Sequence, residues 1–418
     1  MINQLRKIFT NLHIKNYRIV NHLIDQDLFI LESGQSQTSC RKRVSKLTVF
    51  FLKDGLMYRL DVHGNYSADY LESTILNLIV NRQYYCRYNG HRCLGDSIDI
   101  SAKSLLNSAE ITDILKSRKT ETSHFLPNEL LNACHLYAIS RISVDSTLCY
   151  TLAYSPHNMV TSQTKVLRGI ATAHISDDPV PREIPFSGST MNELVQSLST
   201  EFQEVHKKAT NGISNGAPDT FLGTCVISAK LIKLFFSFLC TSLVGQQILL
   251  GTSFFKADMF KSQIFQSKIS LFRRPEKNLH IDAEGSLQNP KQYILDGVLL
   301  EAFNDVLSAS VLEQRAGDME MDFNRLSYAV SFANLCVRAP QKVASHVPIF
   351  TELHGNYVFF NQLTGELAFS AIGTDSLGNS KLLNYTGNIV DLINKISGSC
   401  SEPVTIEGME VTDMILEF

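Results

Sequence analysis

The sequence predicts an α+β protein of two domains, residues 1–210 and 220–418, of which the second is rich in strands. Its 418 residues exceed what one compact core usually holds. Apolar runs flank an Asp-Gly pair at Asp54-Gly55 and again at Asp296-Gly297, and this pattern predicts a β-hairpin in each half. A cluster of turn-forming residues at 211–219 separates the two halves.

The predicted first domain alternates helices with strands. Ser67 can cap a helix that runs to Ile79, since apolar residues recur along one face. Thr190 and Glu193 have the spacing of a capping box and predict a helix from Thr190 to Lys208. Other segments have clear patterns: strands at Leu47 to Leu52, Ser143 to Tyr154 and Lys165 to His174, a helix at Asn128 to Ile139, and an irregular extended stretch at Pro179 to Pro185.

The predicted second domain opens with a strand at Phe221 to Ile227 and a very apolar helix from Ser228 to Val244. This helix contains Lys233 and is shorter than the roughly 20 residues that span a bilayer, so we expect a buried helix and no membrane insertion. Short strands separated by turns follow, a pattern typical of a barrel or a sandwich. The clearest are at Tyr357 to Phe360, Glu366 to Phe369 and Lys381 to Tyr385, before a helix at Ile389 to Ile396.

Composition and charge argue against several classes of function. A net charge of −3 gives no concentrated positive face for nucleic acid. The basic run from Arg41 to Lys46 is typical of a solvated strand edge rather than an anion site. Nine cysteines are scattered without a C-x-x-C pair, which predicts neither disulfides nor zinc fingers. The first residues lack the apolar core of a signal peptide. A reducing cytoplasm is therefore the expected compartment.

Short motifs follow one another from Gly251 onward. They are Gly251-Thr252-Ser253-Phe254-Phe255, Ile281-Asp282-Ala283-Glu284-Gly285, Ile294-Leu295-Asp296-Gly297-Val298-Leu299, Ser308-Ala309, Thr351-Glu352-Leu353-His354-Gly355, Thr364-Gly365-Glu366-Leu367 and Thr386-Gly387-Asn388-Ile389. In this order and at this spacing they resemble the TldD/PmbA family of peptide-processing proteins, from Ser228 onward. Leu367, where the family prefers Phe, and Gly378-Asn379, where it has Asn-Gly, indicate a divergent member.

The resemblance implies an N-terminal α/β domain followed by a C-terminal antiparallel β-barrel-like domain with a few helices. TldD-type subunits of the family carry His-Glu-x-x-x-His on a central helix, where the histidines help to hold zinc and the glutamate acts as general base. PmbA-type, or TldE-like, subunits lack this motif and pair with a TldD-type subunit. The complex degrades or trims unfolded peptides, including leader peptides of ribosomally made natural products.

The corresponding helix in this chain, Leu231 to Ser242, contains neither His nor Glu. Its one soft ligand is Cys240, and a single thiol cannot supply the three or four ligands of a zinc site, so we expect Cys240 to be a small buried hydrophobe. The resemblance therefore implies a PmbA-like subunit with no catalytic or metal site of its own. Zinc is expected in a TldD-like catalytic partner, which would form a heterodimer or a larger complex with this chain around an extended peptide.

Candidate residues near the peptide cavity are implied by the resemblance alone. They are Gly251, Ser253, Phe254, Asp282, Glu284, Glu352 and Gly355. A strand edge there would hold an extended peptide by main-chain hydrogen bonds, and such binding is compatible with substrates of many different sequences.

Two alternative functions stay open. One is a self-associating peptide-binding protein without protease activity. The other is an enzyme with a different site, since His280, Asp282 and Glu284 alternate and would share one face of a strand. A structural role for Asp282 and Glu284 is the competing interpretation. Other polar residues have weaker patterns: Cys134 and His135 diverge on a helix, Cys336 has core-like neighbours, and His346 and His354 lack metal-ligand spacing.

Overall fold

Antiparallel strands account for more than half of the described residues up to Thr210 in this computed structural model. The structure describes residues 2–32, 36–64, 66–84, 86–87, 130, 132, 137, 139–156, 159–174, 182–188, 190–210, 219–274, 281–322, 327–343, 347–406 and 408–418. Its described residues up to Thr210 form one compact unit, and those from Asp219 onward form a second.

The first unit is an antiparallel sheet with helices on one face. Its elements are α1 Ile2–Asn11, β1 Tyr17–Glu32, β2 Ser36–Lys53, β3 Leu56–His63, α2 Ala68–Val80, β4 Cys86–Arg87, β5 Ile139–Tyr154, β6 Met159–Ala173, β7 Arg182–Gly188 and α3 Met191–Thr210. The described strands lie in the order β4-β3-β2-β1-β5-β6-β7. Because side chains alternate along a strand, Ile19 and Leu31 of β1 share a face. Ile19 packs in the core with α1 and α2, and Leu31 packs in the core with α3.

Local signals in the first unit behave largely as predicted. Asp54 and Gly55 both have positive φ, 52° and 72°, as the predicted tight turn between β2 and β3 requires. The Ser67 hydroxyl accepts a hydrogen bond from the Tyr70 N–H at 3.2 Å, and Thr190 caps α3 through the Glu193 N–H at the same distance. These hairpin and helix predictions are confirmed.

Three predictions in this unit need correction or fall outside it. Pro185 lies within β7 and not in an irregular stretch, because β7 is an end strand of the sheet and can accommodate a residue without an N–H. The helix predicted to end at Ile139 lies mostly outside the described residues, and Ile139 itself begins β5. The basic run belongs to β2, where Arg43 pairs with Asp25 at 3.0 Å, but Lys46 is buried and the run is not solvated throughout.

The second unit is built from shorter strands around one helix. Its elements are β8 Asp219–Thr220, β9 Thr224–Ile227, α4 Ala229–Ser242, α5 Gly245–Leu249, a 3-10 turn Ala257–Met259, β10 Ser270–Arg273, β11 Lys291–Leu295, β12 Val298–Leu299, α6 Val306–Leu312, β13 Met319–Asp322, β14 Ser327–Val330, β15 Leu335–Arg338, β16 Ile349–Phe360, β17 Glu366–Thr374, β18 Ser380–Asn388, α7 Ile389–Asn394, β19 Ile396–Ser399, β20 Val404–Ile406, β21 Met409–Val411 and β22 Met414–Glu417. The helix predicted at Ile389 to Ile396 is thus shorter by two residues, since Ile396 begins β19.

The described strands of this unit form two larger sheets and a small hairpin. One sheet has the order β12-β11-β10-β15-β21-β20, the other has the order β19-β22-β9-β16-β17-β18-β8, and β13 pairs with β14. Both larger sheets are open at their end strands, so the expected barrel is only a loose description. The α+β class itself is confirmed. Asp296 and Gly297, with φ of 48° and 86°, form the predicted second hairpin between β11 and β12.

Helix α4 lies in a core that draws on both larger sheets. Phe235, Phe236 and Leu239 of α4 are buried there with Leu271 of β10 and Phe350 of β16. Full burial of a side chain of this size stabilises by about 1.5–3 kcal/mol relative to exposure. The sequence prediction of a buried apolar helix is confirmed, and the packing fixes α4 against β16.

Candidate functional site

Helix α4 exposes one narrow stripe. It comprises Lys230, Lys233, Leu234, Ser237, Phe238 and Thr241, all half-buried or exposed. The Ser237 hydroxyl donates to the Lys233 carbonyl at 2.8 Å, and the Thr241 hydroxyl donates to the Phe238 carbonyl at 2.8 Å. Both hydroxyls are therefore engaged by the backbone of their own helix.

Cys240 lies away from this stripe and is fully buried. Burial raises the pKa of its thiol well above the ordinary value, and the positive charge of Arg273 offsets only part of that rise. Cys240 is thus the small buried hydrophobe that the sequence predicted, and its raised pKa keeps the thiol protonated.

Strand β16 runs beside α4. At one end, the Ser228 N–H donates to the Phe350 carbonyl at 2.9 Å. Further along, the rings of Phe238 and Phe360 stack with centroids 4.9 Å apart and an angle of 12° between their planes. At the far end, the Gln362 side-chain amide donates to the Thr241 carbonyl at 3.0 Å. We call the stretch formed by Leu234, Phe238, Val358 and Phe360 the α4–β16 seam.

The backbone of β16 changes its bonding along this seam. Strand β9 pairs with it at Ile349 and Phe350 only. At the other end, the Asn361 N–H donates to the Glu366 carbonyl of β17 at 2.9 Å. Since alternate residues of an antiparallel pair bond to the same neighbour, the main-chain groups of Val358 and Phe360 face away from β17. Within the described part of the chain, no strand pairs with that edge.

The candidate cavity residues of the first motif lie beside the turn after β16. Gly251 adopts a φ of 69° after α5, where an added Cβ would meet open space. The Ser253 hydroxyl is buried and donates to the Ser242 carbonyl at 2.6 Å, so it ties this segment to the end of α4. Phe254 is half-buried, and its N–H donates to the Gln362 carbonyl at 3.0 Å.

Asp282 and Glu284 have structural partners. Asp282 is 2% exposed, and its carboxylate accepts from the N–H groups of Glu284 at 2.9 Å and Ser286 at 2.7 Å, which closes the turn. Glu284 is 1% exposed and accepts from the Val306 N–H at 2.6 Å at the start of α6. These contacts support the structural interpretation of the pair. His280, the third member of the alternative site, lies outside the described residues.

Glu352 and Gly355 lie in β16 itself. Leu353 pairs with Ala371 and Val358 pairs with Phe369, so a wide bulge separates the two straight parts of the strand. Gly355 lies in this bulge with a φ of 60°. The seven candidates thus occupy three separate places in the second unit: the segment after α5, the turn at Asp282 to Glu284, and β16. Of these, only β16 contributes residues to the α4–β16 seam.

A buried ionic network beneath α4 was missed in the sequence. Asp318 is fully buried and accepts from Lys291 Nζ at 2.5 Å, the Tyr293 hydroxyl at 2.5 Å and the Asn304 N–H at 2.9 Å. Arg273 lies 3.4 Å from the same carboxylate. Burial, followed by the Asp318 charge, raises the pKa of Tyr293 well above its ordinary value. The alternation of Lys291 and Tyr293 on one face of β11 was the available signal, but their partner lies far along the chain.

Comparison with known proteins identifies the family. Residues 223–417 match the family model described as the PmbA/TldA metallopeptidase C-terminal domain. These residues form a TldD/PmbA-family domain. No curated protein sequence is significantly similar to it.

Solved structures similar to this chain span almost its whole length. TldE from Thermococcus kodakarensis has 13% identity and a TM-score of 0.71, covering 99% of this chain and 98% of that chain. A protein from Thermotoga maritima MSB8, described as a proposed modulator of a DNA gyrase, has 14% identity and a TM-score of 0.69, covering 99% of this chain and 98% of that chain. A similarly described protein from Bacteroides thetaiotaomicron VPI-5482 has 14% identity and a TM-score of 0.66, covering 99% of this chain and 97% of that chain. At these identities the likeness shows the fold.

The α4 stripe of this TldD/PmbA-family domain does not fit a zinc ion. Zinc sites use thiolate, imidazole or carboxylate ligands, whereas the stripe presents ammonium, hydroxyl and apolar groups. Across the described ranges, no group of three or more His, Cys, Asp or Glu side chains is placed to hold a metal ion. His354 is exposed in the β16 bulge and Cys336 is buried in β15, while Cys134, His135 and His346 lie outside the described residues.

No helix among the described residues combines the length and apolar character needed to cross a membrane.

Proposed function

We propose that this chain is the non-catalytic, TldE-like subunit of a heteromeric TldD-type zinc metalloprotease that trims or degrades unfolded peptides. The observation that carries the proposal is the composition of α4. The chain has the C-terminal domain of a metallopeptidase family, yet its central helix contains neither His nor Glu. The fold shared with TldE over 99% of the chain also supports the subunit role.

The physical contribution of this subunit is confinement and alignment of the substrate. A chamber completed by a second subunit excludes folded chains, and a strand edge inside it holds extended peptides by their main chain. Such binding depends little on side chains, so one complex can accept many unfolded sequences. A leader peptide of a ribosomally made natural product belongs to this substrate class, and the cytoplasm is the compartment in which we propose the complex acts.

Purification of the chain alone and together with a TldD-type subunit of the same genome tests the proposal. We expect stable copurification, with zinc and peptide cleavage present only in the complex. A complex whose TldD-type subunit has Ala in place of the first motif histidine is the matched control, and it should assemble but not cleave. Zinc and cleavage in the lone chain would refute the proposal.

A second candidate function is a self-associating peptide-binding protein without protease activity. The edge of β16 at Val358 and Phe360, with which no described strand pairs, favours it as well, because such an edge binds peptide whether or not a protease is attached. A lone chain that binds peptide, self-associates and ignores the TldD-type subunit would favour this candidate.

A further inference from the structure

We propose that the Asp54-Gly55 turn is a site of spontaneous covalent modification, where Asp54 converts to isoaspartate and the chain becomes a substrate for an enzyme that methylates isoaspartyl carboxylates. The inference goes beyond the proposed function, because it concerns the first unit and needs neither zinc nor a partner subunit. A contrast within the chain carries it. Two Asp-Gly turns share one left-handed backbone shape, and only one of them is open to the reaction.

The reaction joins two neighbouring groups of the same turn. The Gly55 nitrogen forms a bond to the side-chain carboxyl carbon of Asp54, and the amide hydrogen leaves with the carboxyl hydroxyl group as water. Water then opens the resulting cyclic succinimide. Opening at the main-chain carbonyl carbon leaves the chain running through the side chain, as isoaspartate. One water leaves and one returns, so the reaction needs no oxidant or cofactor. Glycine favours it because no Cβ shields the glycine nitrogen.

The Asp54-Gly55 turn leaves both reacting groups without a hydrogen-bond partner. Both residues are exposed at the tip of the hairpin that joins β2 to β3, and the pair Lys53 and Leu56 closes the turn. Within the described part of the chain, neither the Gly55 N–H nor the Asp54 carboxylate takes part in a hydrogen bond. A Cβ added to Gly55 would meet nothing within 4 Å. The carboxyl group therefore has room to approach the Gly55 nitrogen, and the tip can open locally without losing a bond of its own.

The Asp296-Gly297 turn has the same backbone shape but is held by its surroundings. Gly297 is buried, and its N–H donates to the Ile269 carbonyl at 2.8 Å. The Asp296 N–H donates to the Ser270 hydroxyl at 3.0 Å, and the Gln263 side-chain amide donates to the Asp296 carbonyl at 3.0 Å. Ring closure here has to break such bonds first, and each one lowers the population of the open turn about two- to tenfold.

Isoaspartate in the first turn lengthens its main chain by one carbon atom. This turn sets the register in which Phe51 of β2 pairs with Tyr58 of β3, and the two rings stack 4.9 Å apart in the core that contains α1 and α2. Beside the turn, Lys53 Nζ donates to the Leu12 carbonyl at 3.1 Å, just after α1. We expect the longer turn to loosen this end of the hairpin, so hydrogen exchange near Asp54 should be faster in aged protein.

Ageing of the full chain followed by peptide mapping tests the site. Native protein and protein unfolded in guanidinium chloride are incubated in neutral buffer for several weeks. Freshly purified protein is digested alongside, to measure isomerisation during digestion. A peptide with isoaspartate elutes as a second peak of unchanged mass, and electron-based fragmentation assigns its position. In native protein we expect Asp54 to isomerise at least about tenfold faster than Asp296, because several hydrogen bonds hold the latter turn closed. In guanidinium chloride the two rates should become similar, since both turns are then open.

Two variants test the cause independently. Asp54→Glu keeps the charge but disfavours ring closure, because the ring would contain one more atom. Aged wild-type chain should accept methyl groups from S-adenosylmethionine through a protein-isoaspartate methyltransferase, and aged Asp54→Glu should lose most of this labelling. Ser270→Ala removes the acceptor of the Asp296 N–H and should raise the rate at Asp296 about two- to tenfold without changing that at Asp54. Thermal unfolding of each variant confirms that it is folded.

The outcomes decide the inference without reference to the proposed function. Faster isomerisation of Asp54 in native protein, with methyl labelling that disappears in Asp54→Glu, would support the site. An Asp54 that stays unmodified in native protein while it reacts in guanidinium chloride would overturn it, and so would equal rates at the two turns of native protein. Each result holds whether or not the chain copurifies with a TldD-type subunit.

Discussion

Asparagine in place of Asp318 tests whether the buried network holds the second unit together through charge. The substitution keeps the volume of the side chain and removes its negative charge. Lys291 and Arg273, whose side chains are 0% and 3% exposed, then lose their common counter-ion. Removal of one partner from a buried ion pair costs about 3–5 kcal/mol, because the remaining charge stays desolvated. Proteins of ordinary stability unfold with about 5–15 kcal/mol, so the expected loss is a large fraction of the total.

Hydrogen exchange with mass spectrometry is the suitable assay. The chain has no tryptophan, and a protein of two units need not unfold in one step, so exchange is followed in peptides from β10 and β11. Urea unfolding by circular dichroism gives a second measure, with an expected midpoint shift of about 2 M for a slope of about 2 kcal/mol/M. The matched control is Glu301→Gln, which breaks the Arg315–Glu301 pair at 2.5 Å, where the Arg315 side chain is 51% exposed. That change should cost less than about 1 kcal/mol.

An Asp318→Asn protein that retains wild-type exchange in β10 and β11 would refute the reasoning. It would mean that the network contributes hydrogen bonds and packing alone. Tyr293→Phe helps to interpret an intermediate result. It removes the hydrogen bond that the hydroxyl donates to Asp318 and the one that it accepts from Arg273 Nε at 3.2 Å, so it should cost at least about 1.5–3 kcal/mol without removing a charge.

Four further predictions concern thiols, turns and metal. In native protein at pH 8 a thiol reagent should modify exposed Cys40 but not buried Cys149 or Cys225. Burial raises the pKa of the Cys149 thiol to about 11 and that of the Cys225 thiol to about 12. Peptide mapping measures the labelling, and early modification of either buried thiol would contradict the prediction. Because the raised pKa of Cys149 favours the protonated native state, its contribution to stability should be complete below pH 9 and lost as pH rises toward 11, as chemical denaturation across that range would show. Gly55→Ala should destabilise the protein by roughly 1–2 kcal/mol, the cost of a left-handed backbone conformation, because its Cβ would meet open space. Gly297→Ala should destabilise the protein clearly more, because its Cβ would also lie 2.2 Å from the Phe265 carbonyl oxygen. Equal melting temperatures of the two variants would contradict this prediction. A chelator should abolish cleavage by the complex and leave the melting temperature of the lone chain unchanged, and a fall in that temperature would reveal a metal site in this subunit.

Much of the fold could be predicted from local sequence signals. The Asp-Gly pairs at Asp54-Gly55 and Asp296-Gly297 fix their turns through backbone conformations that few residues adopt, so neighbouring residues alone reveal them. The same holds for Ser67 and Thr190, whose hydroxyls satisfy the first N–H groups of their helices. Pro185 shows the limit of this method, since its tolerance depends on β7 lying at the edge of the sheet.

The candidate site depended on long-range pairing and could be predicted only in part. The absence of His and Glu from α4 is visible in twelve consecutive letters, from Leu231 to Ser242. The α4–β16 seam is not, because Phe238 and Phe360 meet only after the strands between them have formed. Asp318 likewise looks like an ordinary loop residue in the sequence, and its burial becomes evident only with Lys291 beside it.

The position of β22 also constrains how the protein is made. In the larger of the two sheets, β22 lies between β19 and β9, and β9 is one of the first strands of the second unit. Synthesis at about 5–20 residues per second delivers β22 roughly 190 residues after β9, or about 10–40 seconds later. Throughout that interval the edge of β9 that pairs with β22 in the finished sheet has no partner. The second unit therefore completes its sheet late in translation, and a chaperone that shields this edge should raise the yield of folded protein.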